Sequence, residues 1–147
     1  MSAMSEGREQ EAAAGHELVD HTSEVTMRLR APSFPELVGE ATRAFAELVP
    51  ASLRGEVDND WRSFRIQAPD RAAGLVEWLN ELVYRSEVDQ WLATEVDVAP
   101  RSEGALHIHA RGVTLNAPFV LVKAATLHGA VVREGRHGLE GEVTLDV

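Results

Sequence analysis

The sequence predicts an α+β domain: a mostly antiparallel sheet with two helices packed on one face. Three observations lead there. Two segments carry apolar residues at helical spacing behind capping residues, and the segments around them alternate apolar with polar residues. The last third also alternates, with connections too short for crossovers, which implies antiparallel neighbours. The predicted order is β-α-β-α-β-β-β-β, and 147 residues suit one domain.

The head, residues 1–15, is acidic and poor in large apolar side chains, so it is expected to be disordered, with a single domain over 16–147. From Glu17 to Arg30 a strand is expected, because Val25, Met27 and Leu29 alternate with Thr26, Arg28 and Arg30. Ser33 stands three residues ahead of Glu36, a capping-box spacing with Pro35 in the first turn. The helix that follows should bury Leu37, Ala41, Phe45, Leu48 and Val49 and stop at Pro50. Glu56 to Ala68 alternates around Trp61, Phe64 and Ile66, with Asp58-Asn59-Asp60 resembling a turn. Asp70 should cap a longer helix reaching Tyr84 or Arg85, burying Leu75, Val76, Leu79, Leu82 and Val83. Strands are then expected over 91–98, 105–112, 120–133 and 142–147, with a turn region over 135–141.

Composition excludes several classes. With 14 basic residues against 24 acidic ones the net charge is −10, and the basic residues are scattered. Counterion release by clustered Lys and Arg drives most nucleic-acid affinity, so direct, tight nucleic-acid binding is not expected. Cations or a basic partner suit the chain better. No stretch approaches the roughly 20 apolar residues of a membrane-spanning helix, and Met1 to Gly15 contains no secretory signal. The absence of cysteine excludes disulfides, thiolate metal sites and a thiol nucleophile, and fits a cytoplasmic location. No Gly-rich phosphate loop, dinucleotide fingerprint or His-Glu-x-x-His pattern is present, so nothing points to an autonomous enzyme.

Chemistry could sit at four places. Asp20-His21-Thr22 gathers an acid, an imidazole and a hydroxyl, but alternation puts Asp20 and Thr22 on one face and His21 on the other. A nucleophilic triad is therefore not formed by adjacency. Asp146 lies between Leu145 and Val147, and is either a solvated strand end or a charge that a hard cation such as Ca²⁺ or Mg²⁺ compensates. Lys123, within the expected 120–133 strand, either snorkels to solvent or tunes the charge of a pocket beside a carboxylate. Glu77 and Glu81 share a helix face, as solvated acids commonly do. His107 and His109 also share a face, but spacing supplies no third metal ligand.

Together these fragments resemble the archease family. Asp20-His21-Thr22-Ser23-Glu24-Val25 is similar to its Asp-His-Thr-Ala-Asp-Val opening, and Trp78-Leu79-Asn80-Glu81-Leu82 to its Trp-Leu-Asn-Glu-Leu helix. Val122-Lys123-Ala124-Ala125-Thr126-Leu127-His128 resembles its Val-Lys-Ala-x-Thr-Tyr-His strand, and Leu145-Asp146-Val147 its apolar-Asp-apolar ending. The resemblance covers about residues 16–147. It implies a non-enzymatic partner of RtcB-type RNA ligases in tRNA splicing or RNA repair. Such a partner promotes guanylylation of the ligase and its multiple turnover, with divalent metal, and with GTP used by the ligase. The family's metal-binding carboxylates carry over to Asp20 and Asp146, which are expected to converge on one cation with Asn116 as a third ligand, and His21 and Lys123 are further functional residues. A third family acid falls at Asn116, in Gly112-Val113-Thr114-Leu115-Asn116, with Ala117-Pro118 in place of the family's His-Pro. An amide offers one neutral oxygen, so cation affinity should drop. Two other classes stand beside this one: a chaperone-like modulator of another RNA-modifying enzyme, acting by binding alone, and a metal-dependent hydrolase. The hydrolase is disfavoured because no general base is spaced to serve a metal-bound water.

Overall fold

The computed structural model describes residues 13–21 and 23–147, with only the backbone at His21. The expected disordered head therefore lies mostly outside the described residues, although Gly15 already belongs to a strand. The elements run β1 (Gly15–His21), β2 (Glu24–Ala31), α1 (Phe34–Glu47), a 3₁₀ turn (Ala51–Leu53), β3 (Arg54–Gln67), α2 (Arg71–Val88), β4 (Trp91–Val98), β5 (Ala105–Leu115), β6 (Ala124–Gly135) and β7 (Gly138–Asp146). The class is α+β and every strand pairing is antiparallel.

The opening strand is folded as a hairpin, since β1 and β2 pair from Gly15↔Arg30 to His21↔Glu24. No Gly, Asn or Pro marks the reversal, so the usual hairpin chemistry is missing there. The strands also divide into two sheets, ordered β1-β2-β7-β6 and β3-β5-β4. The helix pair lies against both: α1 packs on β2 and β4, and α2 on β6 and β4. A helix covered on two sides must be apolar nearly all round. In α1, Leu37, Val38, Ala41, Ala44 and Phe45 are all fully buried, which a single sheet would not require.

Local chemistry explains the helix boundaries. Ser33 Oγ accepts the Glu36 N–H at 3.3 Å and donates to the Glu36 carboxylate at 2.8 Å. Asp70 accepts the Ala73 N–H at 2.8 Å. Between the helices the buried Trp78 Nε1–H donates to Thr42 Oγ1 at 2.9 Å, and that hydroxyl donates to the Val38 carbonyl at 2.8 Å. The polar atoms of this central contact are thus satisfied, as burial demands. The Asp58-Asn59-Asp60 turn chemistry appears as a register shift within one long β3, where the Asp60 N–H donates to Asp58 Oδ1 at 3.1 Å. Lys123 precedes β6 instead of standing inside a strand, because residues 116–123 form the connection from β5.

Candidate functional site

Sheet register decides which of the candidate residues meet. In β7, Asp146 stands opposite Glu24 of β2 on one side and Ala124 of β6 on the other. Asp20 of β1 stands opposite Val25, which in turn faces Leu145. Paired residues of an antiparallel sheet present their side chains to the same face, and successive residues alternate. Asp20 therefore belongs to the row of the buried Val25 and Leu145, and Asp146 to the adjacent row on the opposite face. The two aspartates reach the same end of the four-stranded sheet but not the same face of it. Asp20 is exposed all the same, because β1 is an edge strand and Asp20 lies near its end.

The neighbour that register gives Asp146 is Glu24, and both side chains are exposed. Glu24 was legible in part, since alternation against Val25 puts it on the outer face; the pairing with Asp146 was not. The ladder end is held by backbone: Lys123 N–H donates to the Asp146 carbonyl at 2.8 Å, and Val147 N–H to the Ser23 carbonyl at 3.1 Å. Lys123 is exposed one residue from Ala124, the other neighbour of Asp146. The side chains of His21 and Thr22 lie outside the described residues.

Asn116 has a different setting. Its N–H donates to the Leu53 carbonyl at 2.8 Å and its Nδ2 to the Ser52 carbonyl at 3.3 Å, tying the end of β5 to the 3₁₀ turn. Its Oδ1 lies 3.1 Å from where a Cβ on Gly55 would stand, so the oxygen faces the start of β3. The amide anchors the connection that leads to Lys123.

Of two further residues outside the candidate set, Asn80 positions this end of the molecule and His16 holds the far end of β1, in the row of Leu29 and Gly141. Asn80 of α2 accepts the Ala125 N–H at 2.8 Å and donates to the Ala125 carbonyl at 3.0 Å. One amide thus satisfies both backbone groups on the open side of β6, next to the Ala124–Asp146 pair. Within the Trp78-to-Leu82 motif this asparagine, and not the flanking acids, reaches across. Glu77 is exposed, and Glu81 pairs with Arg85 at 2.7 Å. His16 of β1 lies between two carboxylates of α1, with Nδ1 2.5 Å from Glu40 and Nε2 2.5 Å from Glu47. Burial opposes a charge on His16, but hydrogen bonds to Glu40 and Glu47 and their attraction outweigh it and raise its pKa above 6.5. Burial likewise works against the Glu40 charge; hydrogen bonds from Arg43 and His16 prevail and hold its pKa below the ordinary 4.5. The strand that carries Asp20 is clamped to α1 in this way.

The donor set is short for a closed metal cage. Among the described residues no three His, Cys, Asp or Glu side chains gather as a metal site. His107 stands opposite Arg65 of β3, and His109 opposite Ser63 of β3 and Asp97 of β4, with no third such ligand beside them among the described residues. Two adjacent exposed carboxylates can still hold a hard cation loosely, with water or another protein's oxygens completing the six to eight that Ca²⁺ takes.

Comparison with known proteins agrees with the fold. A model of the Archease protein family matches residues 16–147. The chain is 25% identical over 140 residues to "Protein archease" of Methanosarcina barkeri, covering 90% of this chain and 95% of that protein. Among solved structures, protein 1598 of Methanobacterium thermoautotrophicum superposes with a TM-score of 0.65 at 19% identity, covering 90% of this chain and 99% of that one. A Thermotoga maritima protein described as an archease and possible chaperone gives a TM-score of 0.61 at 16% identity, covering 89% of this chain and 96% of that one.

Proposed function

Given that the chain belongs to the archease family, we propose that it is a non-enzymatic accessory protein that activates an RtcB-type RNA ligase in tRNA splicing or RNA repair. Its role there is to promote guanylylation and multiple turnover, with GTP used by the ligase. The observation that supports this reading best is the cross-strand pair Glu24–Asp146, exposed at one end of the sheet. Like charges directly opposite one another destabilise a sheet. A divalent cation, Ca²⁺ or Mg²⁺, would remove that repulsion. Glu24 and Asp146 would hold the ion, Asp20 would add negative potential from the other face, and Lys123 would set the local balance of charge. Asn116 contributes through the connection that delivers Lys123.

Such an open site suits a cation shared with a partner. The test is a multiple-turnover ligation assay with the ligase from the same cell. Asp146→Asn, Glu24→Gln and Asp20→Asn should leave the fold intact, since all three are exposed. The first two should reduce stimulation by roughly tenfold or more, and Asp20→Asn by less. Full stimulation by the Asp146 and Glu24 variants would remove the cation from the proposal. A second reading, a chaperone-like modulator acting by binding alone, is favoured by the two-carboxylate donor set and by the description of the Thermotoga maritima relative. Stimulation that persists in chelator would select it.

A further inference from the structure

The large apolar side chains left exposed among the described residues are unevenly placed. Val57 and Trp61 lie on β3, while Tyr84, Val88, Val120, Leu121 and Leu127 belong to α2 and the 119–127 segment. These two stretches run side by side. The Phe119 N–H donates to the Ser86 carbonyl at 3.1 Å, and Asn80 holds Ala125 at both backbone groups. The segment from 125 back to 119 thus follows α2 from residue 80 to residue 86. Tyr84 is one turn beyond Asn80 and Val88 one turn beyond Tyr84, so both lie along the flank that this segment borders. Phe119 and Val122 are buried, which anchors the connection and leaves Val120 and Leu121 standing out from it. Scattered apolar residues need no explanation, but a gathered set of five does.

Acids surround the set. Glu77 and Glu87 share the Asn80–Tyr84 face, are exposed, and form no ion pair among the described residues. Asp146 stands beside Ala124 at the adjoining sheet end. Arg85 beside Tyr84 is already neutralised by Glu81 and Asp89, and the exposed Lys123 forms no ion pair among the described residues. Two occupants fit poorly. Residues 1–12 contain Glu6, Glu9 and Glu11 and no large apolar run. A second copy would bring acid rims together, each chain carrying a net charge of −10.

We propose that Tyr84, Val88, Val120, Leu121 and Leu127 form a docking surface for a protein partner that offers an apolar patch rimmed by Lys and Arg. The inference rests on the proposed function, in that the partner is the ligase; it adds the surface through which the acidic sheet end is delivered. Apolar anchors set affinity, and the acids around them steer encounter.

The experiment measures binding of the full chain to the purified RtcB-type ligase, alongside ligation turnover and sedimentation of the chain alone. Leu121→Gln, Leu127→Gln and Tyr84→Gln should each weaken binding by roughly tenfold while stimulation at saturating chain stays unchanged. Val57→Gln, on the far strand β3, should bind as the unaltered chain does. Equal binding by the Leu121, Leu127 and Tyr84 variants would overturn the docking surface and leave the proposed function standing. Failure of the unaltered chain to bind the ligase would overturn both. A self-associated chain that the same variants dissociate would make the surface an interface between copies, and would overturn the inference.

Discussion

His16 shows how much one ring can organise. Bridging Glu40 and Glu47 requires both nitrogens to donate, so the clamp from β1 to α1 depends on the imidazolium. Its pKa is raised in the folded state, so its contribution is complete below the ordinary 6.5 and is lost as pH rises through the folded value. Glu40, with a lowered pKa, contributes above its ordinary 4.5 and loses that contribution only as pH falls through its folded value. Urea unfolding should therefore show lower stability on the alkaline side of the His16 titration, by a small margin because Glu47 is exposed and screened by solvent. His16→Gln should flatten that slope; an unchanged slope would assign the clamp no role. Asn80 makes a sharper case. Asn80→Ala leaves two partly buried backbone groups of Ala125 without partners and should cost about 2 kcal/mol. Hydrogen exchange at the Ala125 amide should accelerate with it, whereas loss of stability elsewhere with this amide still protected would refute the clasp.

Among the elements, β4 and β5 approach so closely that one residue type is imposed. A Cβ on Gly112 would lie 1.7 Å from the Leu92 carbonyl oxygen, which is backbone and cannot turn aside. Gly112→Ala should abolish folding or cost more than about 4 kcal/mol, read as loss of the cooperative thermal transition. A well-folded variant would mean that the β4–β5 spacing relaxes easily. Most elements were legible because their signals are local. Ser33 and Asp70 start the helices as capping chemistry predicts, and β4 spans Trp91–Val98 as its alternation implies. The misplaced boundaries have local causes too. The β1–β2 reversal contains no Gly, Asn or Pro, and Asp58-Asn59-Asp60 carries turn chemistry that the strand absorbs as an irregularity. The apolar Val120-Leu121-Val122 looked like strand, yet only Val122 is buried.

Across the molecule, charge and topology meet at one end of the four-stranded sheet. Placing β2 between β1 and β7 brings Asp20, Glu24 and Asp146 to that end. If the end holds a cation, millimolar Ca²⁺ should raise the midpoint of thermal unfolding by a few degrees, as ligands of the folded state do, about 1 kcal/mol near ten times Kd. Asp146→Asn with Glu24→Gln should abolish the shift, and the double variant without Ca²⁺ should be no less stable than the unaltered chain. An equal Ca²⁺ response in the double variant would place the ion elsewhere.

By itself the sequence determined the class, both helices with their caps, most strands, and the motifs whose resemblance named the family, because capping, periodicity and alternation act within a few neighbouring residues. The tertiary structure alone decided the division into two sheets and the partners of each candidate residue. It put Glu24 rather than Asp20 against Asp146, turned Asn116 toward the 3₁₀ turn, and gave Asn80 its hold on β6. The physical reason is register: a strand's period is two residues, so only the pairing of segments more than a hundred residues apart tells which carboxylates share a face.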